Sequence, residues 1–190
     1  MSEDNDDRQI RRLVFKEIVD GDRLKFVAKA APGGSGGGAR DLRFRPFASF
    51  DGVFGRMLTG RSIETRRRGS VMQDVEVYTS IVGVLDQDGN VHNKDLTFEP
   101  PTDARAGEGR LTRVHKLGLE PPPETERVLF LLFQTAEPTP FIAFATGSQV
   151  RDKAWATELN DFFAEALAAT TDRRVARGFI DFERHSRFIG

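Results

Sequence analysis

The chain predicts a mainly β fold with flanking helices, a closed or half-open antiparallel barrel, and three observations carry that reading. Short runs of alternating apolar and polar residues recur between turn signals, as in RDLRFRP at 40–46. The stretch VLFLLF at 128–133 is wholly apolar, as a strand buried on both faces would be. About eight such strands against two helical stretches, the longer one late, do not make the alternating rhythm of a parallel sheet.

In chain order, residues 10–19 read as a strand or short helix, and Asp20-Gly21-Asp22 as a turn. Arg23 to Lys29 then alternates, with charges at 23, 25 and 29 opposite Leu24, Phe26 and Ala28, and predicts a strand with one wet face. APGGSGGG at 31–38 has little to pack and predicts a mobile loop. The next strand, 40–46, puts Leu42 and Phe44 inward and Arg43 and Arg45 outward. Phe47, Phe50, Val53, Phe54, Met57 and Leu58 make the stripe of a short helix ended by Gly60. After a polar, basic stretch at 63–68, VMQDVEVYTSIVGVL at 71–85 and its partner at 91–99 flank Asp86-Gln87-Asp88-Gly89-Asn90, the clearest hairpin turn in the chain.

Residues 110–117 alternate again, with Leu111 opposite an outward Arg110 and Thr112. Pro121-Pro122-Pro123 is a rigid connector, and 128–133 and 141–145 pair across a turn that contains proline. Residues 150–169 predict one helix, with Ser148 as its N-cap and Trp155, Leu159, Phe162, Phe163, Ala166 and Leu167 on its buried stripe. Residues 171–190 read as a basic and apolar tail carrying Phe179, Ile180, Phe182 and Phe188.

Of the 190 residues, 38% are hydrophobic and 30% charged, and no apolar run is long enough to span a bilayer. The acidic start, an expected disordered tail over residues 1–9, is unlike a secretory signal, and a cytoplasmic protein is the expectation. With no Cys and His only at 92, 115 and 185, disulfides and thiolate zinc sites are excluded, and neither a metal nor another cofactor is expected.

The net charge of −1 conceals an uneven distribution. Between residues 8 and 68 there are 15 Lys and Arg against 6 acids, whereas residues 71–100 hold six acids and one base, Lys94. Lys29, Arg40, Arg43 and Arg45 bracket the Gly-rich loop; Arg66-Arg67-Arg68 and the set Arg105, Arg110, Arg113 and Lys116 follow. Guanidinium is suited to phosphates and to guanine edges, so these clusters point to nucleic acid, although any single Arg on a strand is equally a solvated side chain. The Gly-rich loop lacks the Gly-Lys-Ser/Thr ending of a phosphate loop and precedes a strand. Asp74, Glu76, Asp95 and Glu99 lie on paired strands as a magnesium-dependent nuclease would need, yet none is followed two residues later by the usual Lys, and they read as a solvated face. No catalytic constellation emerges.

Phe26-Val27-Ala28-Lys29, a loop ending in Gly37-Gly38, the strand closing in Phe44-Arg45-Pro46, a helix with Phe50 and Phe54, and later Glu108-Gly109-Arg110-Leu111-Thr112-Arg113 follow one another in an order that resembles a known family. That family is the N-terminal effector-binding domain of EcoRII-type restriction endonucleases, related to the B-three pseudobarrel of plant transcription factors. The resemblance spans residues 24–167 and implies a single pseudobarrel over 10–170 that grips the major groove of double-stranded DNA with two arms, here 29–44 and 105–113. It implies that Arg40, Arg43, Glu108 and Arg110 read bases while Lys29, Arg45, Arg66, Arg105, Arg113 and Lys116 hold phosphates. Ala39 stands where the family has His, Gly109 where it has Lys and Phe44 where it has Tyr, so the family's recognition sequence does not transfer. The stretch after Leu167 is too short for the endonuclease's catalytic domain. The expectation is therefore a sequence- or modification-selective DNA-binding domain of a restriction or phage-defence system, not an enzyme, either free-standing or working with a separate nuclease subunit. Two other readings stand beside it: an interaction module docking through the apolar tail, and a hydrolase using Asp74, Glu76 and Asp95.

Overall fold

The apolar run becomes β7 (Val128–Gln134), with antiparallel neighbours β1 (Arg12–Ile18) and β8 (Phe141–Thr146) on its two sides. Their alternate residues serve two cores: Val14, Phe130 and Ile142 face one, Phe15, Leu131 and Ala143 the other. Double-sided burial is the physical reason that β7 shows no polar alternation. The structure is a computed structural model that describes residues 9–26, 40–68, 70–86, 88–101, 106–123, 126–170 and 175–190, with backbone alone at 66–68. It is mainly β, a curled, mixed sheet in the form of a half-barrel with a few helices.

The remaining described elements are α1 (Asp20–Phe26), β2 (Leu42–Phe44), α2 (Phe47–Met57), β3 (Gly60–Arg68), β4 (Val71–Leu85), β5 (Val91–Glu99), β6 (Gly109–Thr112), a 3-10 turn (Val114–Leu117), α3 (Gly147–Arg151), α4 (Thr157–Ala169), β9 (Arg177–Asp181) and β10 (Ser186–Ile189). Their strands lie in the order β10-β9-β1-β7-β8-β4-β5-β6-β2, with β3 on β4 outside that path. Every pairing is antiparallel except that of β4 with β8, so of the expected closed or half-open antiparallel barrel the half-open curl is found, with a sheet that is mixed rather than antiparallel throughout.

Helix α2 fills the hollow of the curl. Phe54 stacks on Phe98 of β5 with centroids 4.3 Å apart, and Phe44 meets Phe54 edge-on at 5.1 Å. On the outer face α4 presents Phe162 and Phe163 edge-on to Phe15 at 5.4 and 5.9 Å.

Four expectations are corrected. Arg23 to Phe26 belongs to a helix, not a strand: the amides of Asp22 and Arg23 both donate to the Val19 carbonyl, and Leu24, which alternation would bury, is 74% exposed. Asp22 is instead the buried partner of Lys16 and Lys25, while residues 27–29 lie outside the described set. The single late helix is two, because Lys153 takes a left-handed φ of 53° and Trp155 drops between them onto Phe163; Thr146, not Ser148, caps α3 through a reciprocal capping box with Gln149. Thr112 is buried rather than outward.

Most consequentially, residues 177–189 are not a tail. β9 pairs with β1 and β10 with β9, and Phe179 and Phe188 stack on each other while both meet Phe50 edge-on. Buried Asp181 ties this pair of strands to Arg56 of α2. The apolar residues expected to dock a partner are instead packed against the sheet's own cores, Ile180 buried and Phe179, Phe182 and Phe188 half-buried. Residues 1–8, the Gly-rich loop and 171–174 lie outside the described residues. Among the described residues no helix is long and apolar enough to cross a membrane.

Replacing Phe54 by Ala removes the ring shared by α2, β2 and β5, and is expected to cost about 3–5 kcal/mol of stability, measured as a lowered midpoint in chemical denaturation.

Candidate nucleic-acid interface

Strands β2 and β6 form one end of the sheet, and their register puts Leu42 opposite Leu111, Arg43 opposite Arg110 and Phe44 opposite Gly109. Leu42, Phe44 and Leu111 enter the aromatic core, so period-two geometry turns Arg43 and Arg110 to the outer face of the curl. The tripeptide Gly107-Glu108-Gly109 then decides what the arginines meet. Gly107 takes a φ of 74°, a conformation natural to glycine, and its carbonyl accepts the Phe47 amide at 2.9 Å. Gly109 lies directly on the Phe98 and Phe47 rings; a Cβ there would sit 2.6 Å from Phe47 and closer still to Phe98. No side chain fits at the position where the resembling family has Lys.

Between these glycines the Glu108 side chain is fully buried and gathers three arginines. Arg110 donates Nε and Nη2 to Oε1 at 2.7 and 2.6 Å, Arg43 Nε lies 3.7 Å from Oε1, and Arg45 pairs with Oε2. Burial raises the carboxyl's pKa, but hydrogen bonds from Arg110 and Arg45 and the charges of Arg110 and Arg43 outweigh it and hold the group below the usual carboxylate range. One carboxylate cannot neutralise three guanidinium groups. The arginine side chains of 43 and 45 are 51% and 62% exposed, whereas Arg110 is only 15% exposed.

The neighbouring turn is tied to this edge. The Val114 amide donates to the Arg40 carbonyl at 3.0 Å, and the Arg113 amide donates to Asp41 Oδ1 at 3.3 Å. Asp41 also lies 3.8 Å from Arg110, and Arg113 reaches Glu64 of β3 at 3.6 Å. Arg113 adopts a left-handed φ of 57°, uncommon for a side chain of its size. Lys116 is exposed on the same turn. Partial burial, followed by the charges of Arg40, Lys116 and Arg113, holds the His115 imidazole below its ordinary range, with Asp41 acting in the opposite direction. The imidazole lines a cleft of about 500 Å³ with Arg23, Phe26, Leu119 and Pro122.

Six expected site residues, Arg40, Arg43, Arg45, Glu108, Arg110 and Arg113, thus converge on one edge, with Lys116 beside them. Arg66 lies apart on β3 by its backbone position, and Lys29 and Arg105 fall outside the described residues, as does the first expected arm up to residue 39. Glu108, expected to read a base, is buried and paired with Arg110, Arg43 and Arg45. Arg110, called outward by the sequence pattern, is largely its partner. Asp41 and Glu64 were not foreseen; an acid flanked by Arg40 and Arg43 was the available sign for the first, and nothing local marked the second. Of the acids weighed for a nuclease, Asp74 accepts the Thr65 hydroxyl at 2.7 Å, and no group of three His, Asp or Glu among the described residues could hold a metal ion.

No known family's model and no curated protein matches the chain.

Because the Glu108 pKa is depressed on folding, its contribution to stability is present above the unfolded carboxyl value and is lost as pH falls through the folded one. Glu108→Gln is expected to cost about 1–3 kcal/mol at pH 7 and to flatten the wild-type loss of stability below about pH 4.5, read from denaturation midpoints between pH 3 and 7.

Proposed function

We propose that this protein is a double-stranded DNA-binding domain of the B-three-like pseudobarrel kind, selective for a sequence or a base modification, serving a restriction or phage-defence system in the cytoplasm. Its place is to bind, with strand cleavage left to a separate nuclease. The observation that carries the reading is the arginine edge: Arg43 and Arg45 stand exposed around a buried carboxylate too small to neutralise them, beside Arg40, Arg113 and Lys116.

The geometry refines the roles. A guanidinium braced on one side by Glu108 loses little freedom on meeting a guanine edge or a phosphate, which favours selectivity over indiscriminate attraction. Arg43, opposite Arg110 on the outermost strand, and Arg40 are assigned to base edges. Arg45, Arg113 and Lys116 are assigned to phosphates, with Lys29, Arg66 and Arg105 retained as phosphate contacts by sequence position. Glu108 and Arg110 hold the readers in place.

Fluorescence anisotropy with randomised and base-modified duplexes tests this. Arg43→Ala is expected to weaken the preferred duplex by about 5- to 150-fold and relax the preference, whereas Arg45→Ala weakens all duplexes alike and lowers the salt slope by about one. Absence of binding to any duplex at low salt overturns the proposal.

A further inference from the structure

Strand β4 is longer than its place in the sheet requires. Residues 78–85 pair with β5, but among the described residues 71–77 pair only with β3, so β3 and the first half of β4 leave the sheet as a two-stranded ribbon. Its root is firmly packed. Gly60 lies against Thr79 with no room for a Cβ, 2.7 Å from that residue's carbonyl oxygen, and Arg61 caps the Tyr78 ring at 3.6 Å while donating to the Leu58 carbonyl. Val75 and Val77 are buried. Burial along the ribbon thus reaches as far as Val75, opposite Glu64, and beyond it Met72 and Val71 are exposed.

Its chemistry changes along its length. Glu64, Asp74 and Glu76 all lie on the near side of the Thr65–Asp74 hydrogen bond or at it. Beyond that bond the register sets Arg66 opposite Gln73, Arg67 opposite Met72 and Arg68 opposite Val71, with no acid between 65 and 73. Met72 is 60% exposed and Val71 55% exposed, although apolar side chains of that size are usually buried. A tip combining three arginines with apolar side chains suits a narrow groove of strong negative potential, where cations are attracted and apolar groups press on base steps.

Position completes the inference. Glu64, midway along the ribbon, meets Arg113 of the arginine edge, so the ribbon departs from beside the proposed DNA site. Four further residues carry its tip about 13 Å onward, comparable with the step from a major groove about 12 Å wide into the adjoining minor groove. We infer that the β3–β4 ribbon is a third DNA-contacting element, which enters the minor groove next to the major-groove site through Arg66, Arg67, Arg68, Val71 and Met72. It rests on the DNA-binding reading above. A second copy of the chain is the competing occupant, because the outer edge of the ribbon is open at its tip; charges at Arg61, Glu64, Arg66 and Arg68 along β3 disfavour such strand pairing.

The test uses the full chain, a triple variant Arg66→Gln, Arg67→Gln and Arg68→Gln, and Met72→Ala, with folding checked by circular dichroism. Dimethyl sulfate distinguishes the grooves, since it methylates guanine N7 in the major groove and adenine N3 in the minor groove. The wild type is expected to protect both. The triple variant should lose adenine N3 protection, keep guanine N7 protection, and lower the salt slope by two to three while the ratio of preferred to scrambled duplex stays unchanged. Met72→Ala should weaken adenine N3 protection without changing the salt slope. An unchanged slope and footprint in the triple variant, while Arg43→Ala still loses selectivity, overturns the ribbon inference and leaves the DNA-binding reading standing. Self-association of the wild type that the triple variant abolishes without affecting DNA binding assigns the ribbon to a second copy and overturns it likewise. Failure of the wild type to bind any duplex overturns both.

Discussion

Phe54 of α2 lies flat on Phe98 of β5, with Phe44 of β2 edge-on and Phe47 stacked on the far side of Phe98. This aromatic nest joins three elements that the chain supplies separately, α2, β2 and β5, and the end of the sheet is built on it. β6 crosses the rings at Gly109, where only a hydrogen fits, and that close approach brings the preceding carboxylate beneath β2. A bulkier residue at 109 would lift β6 away and separate Glu108 from its arginines. The electrostatics of the surface thus depend on a dispersion contact underneath it.

That dependence explains how a chain of net charge −1 can present a cationic surface. Acids are not scattered among the arginines but assigned to them: Glu108 to three, Asp41 to Arg110 and the Arg113 amide, Glu64 to Arg113. The pairings fix guanidinium directions, and where Glu108 and Asp41 face three arginines they leave surplus positive charge. Elsewhere carboxylates do purely structural work, as with Glu17 clamping Arg127 and the Ala176 amide, and Asp181 holding Arg56. On the proposed DNA-binding reading, long-range attraction is therefore modest and selectivity would fall to a few positioned groups.

Legibility in the sequence followed the number of faces a segment buries. α2 was readable because its stripe faces one core, and the hairpin at 86–90 because its turn residues act locally. β7 was readable from its uniform apolarity. β3 was not, since a ribbon standing outside the sheet buries almost nothing at its tip and needs no periodicity. α1 departs from its pattern because a short helix with Leu24 and Phe26 between charges alternates by accident; of its two buried residues, Asp22 and Phe26, the first is an acid whose partner, Lys16, lies on another element. The C-terminal strands looked like a tail because strands as short as β10 carry little pattern of their own, and their place is set by pairing with β1 from the opposite end of the chain.

The candidate site divides in the same way. Its residue types were written in the sequence: alternation put Arg43 outward from Leu42 and Phe44, and the clustering of Arg40 to Arg45 and Arg110 to Lys116 was visible as text. Their meeting was not, because β2 and β6 are more than sixty residues apart, and alternation says which face a residue takes but not what stands opposite. By itself the sequence determined the β-rich class, the cationic segments and the absence of thiols. Tertiary structure alone decided that Glu108 is buried among arginines, that 177–189 extends the sheet and that β3 and the first half of β4 project from it, because burial, cross-strand partners and the reach of a ribbon are properties of pairs of segments.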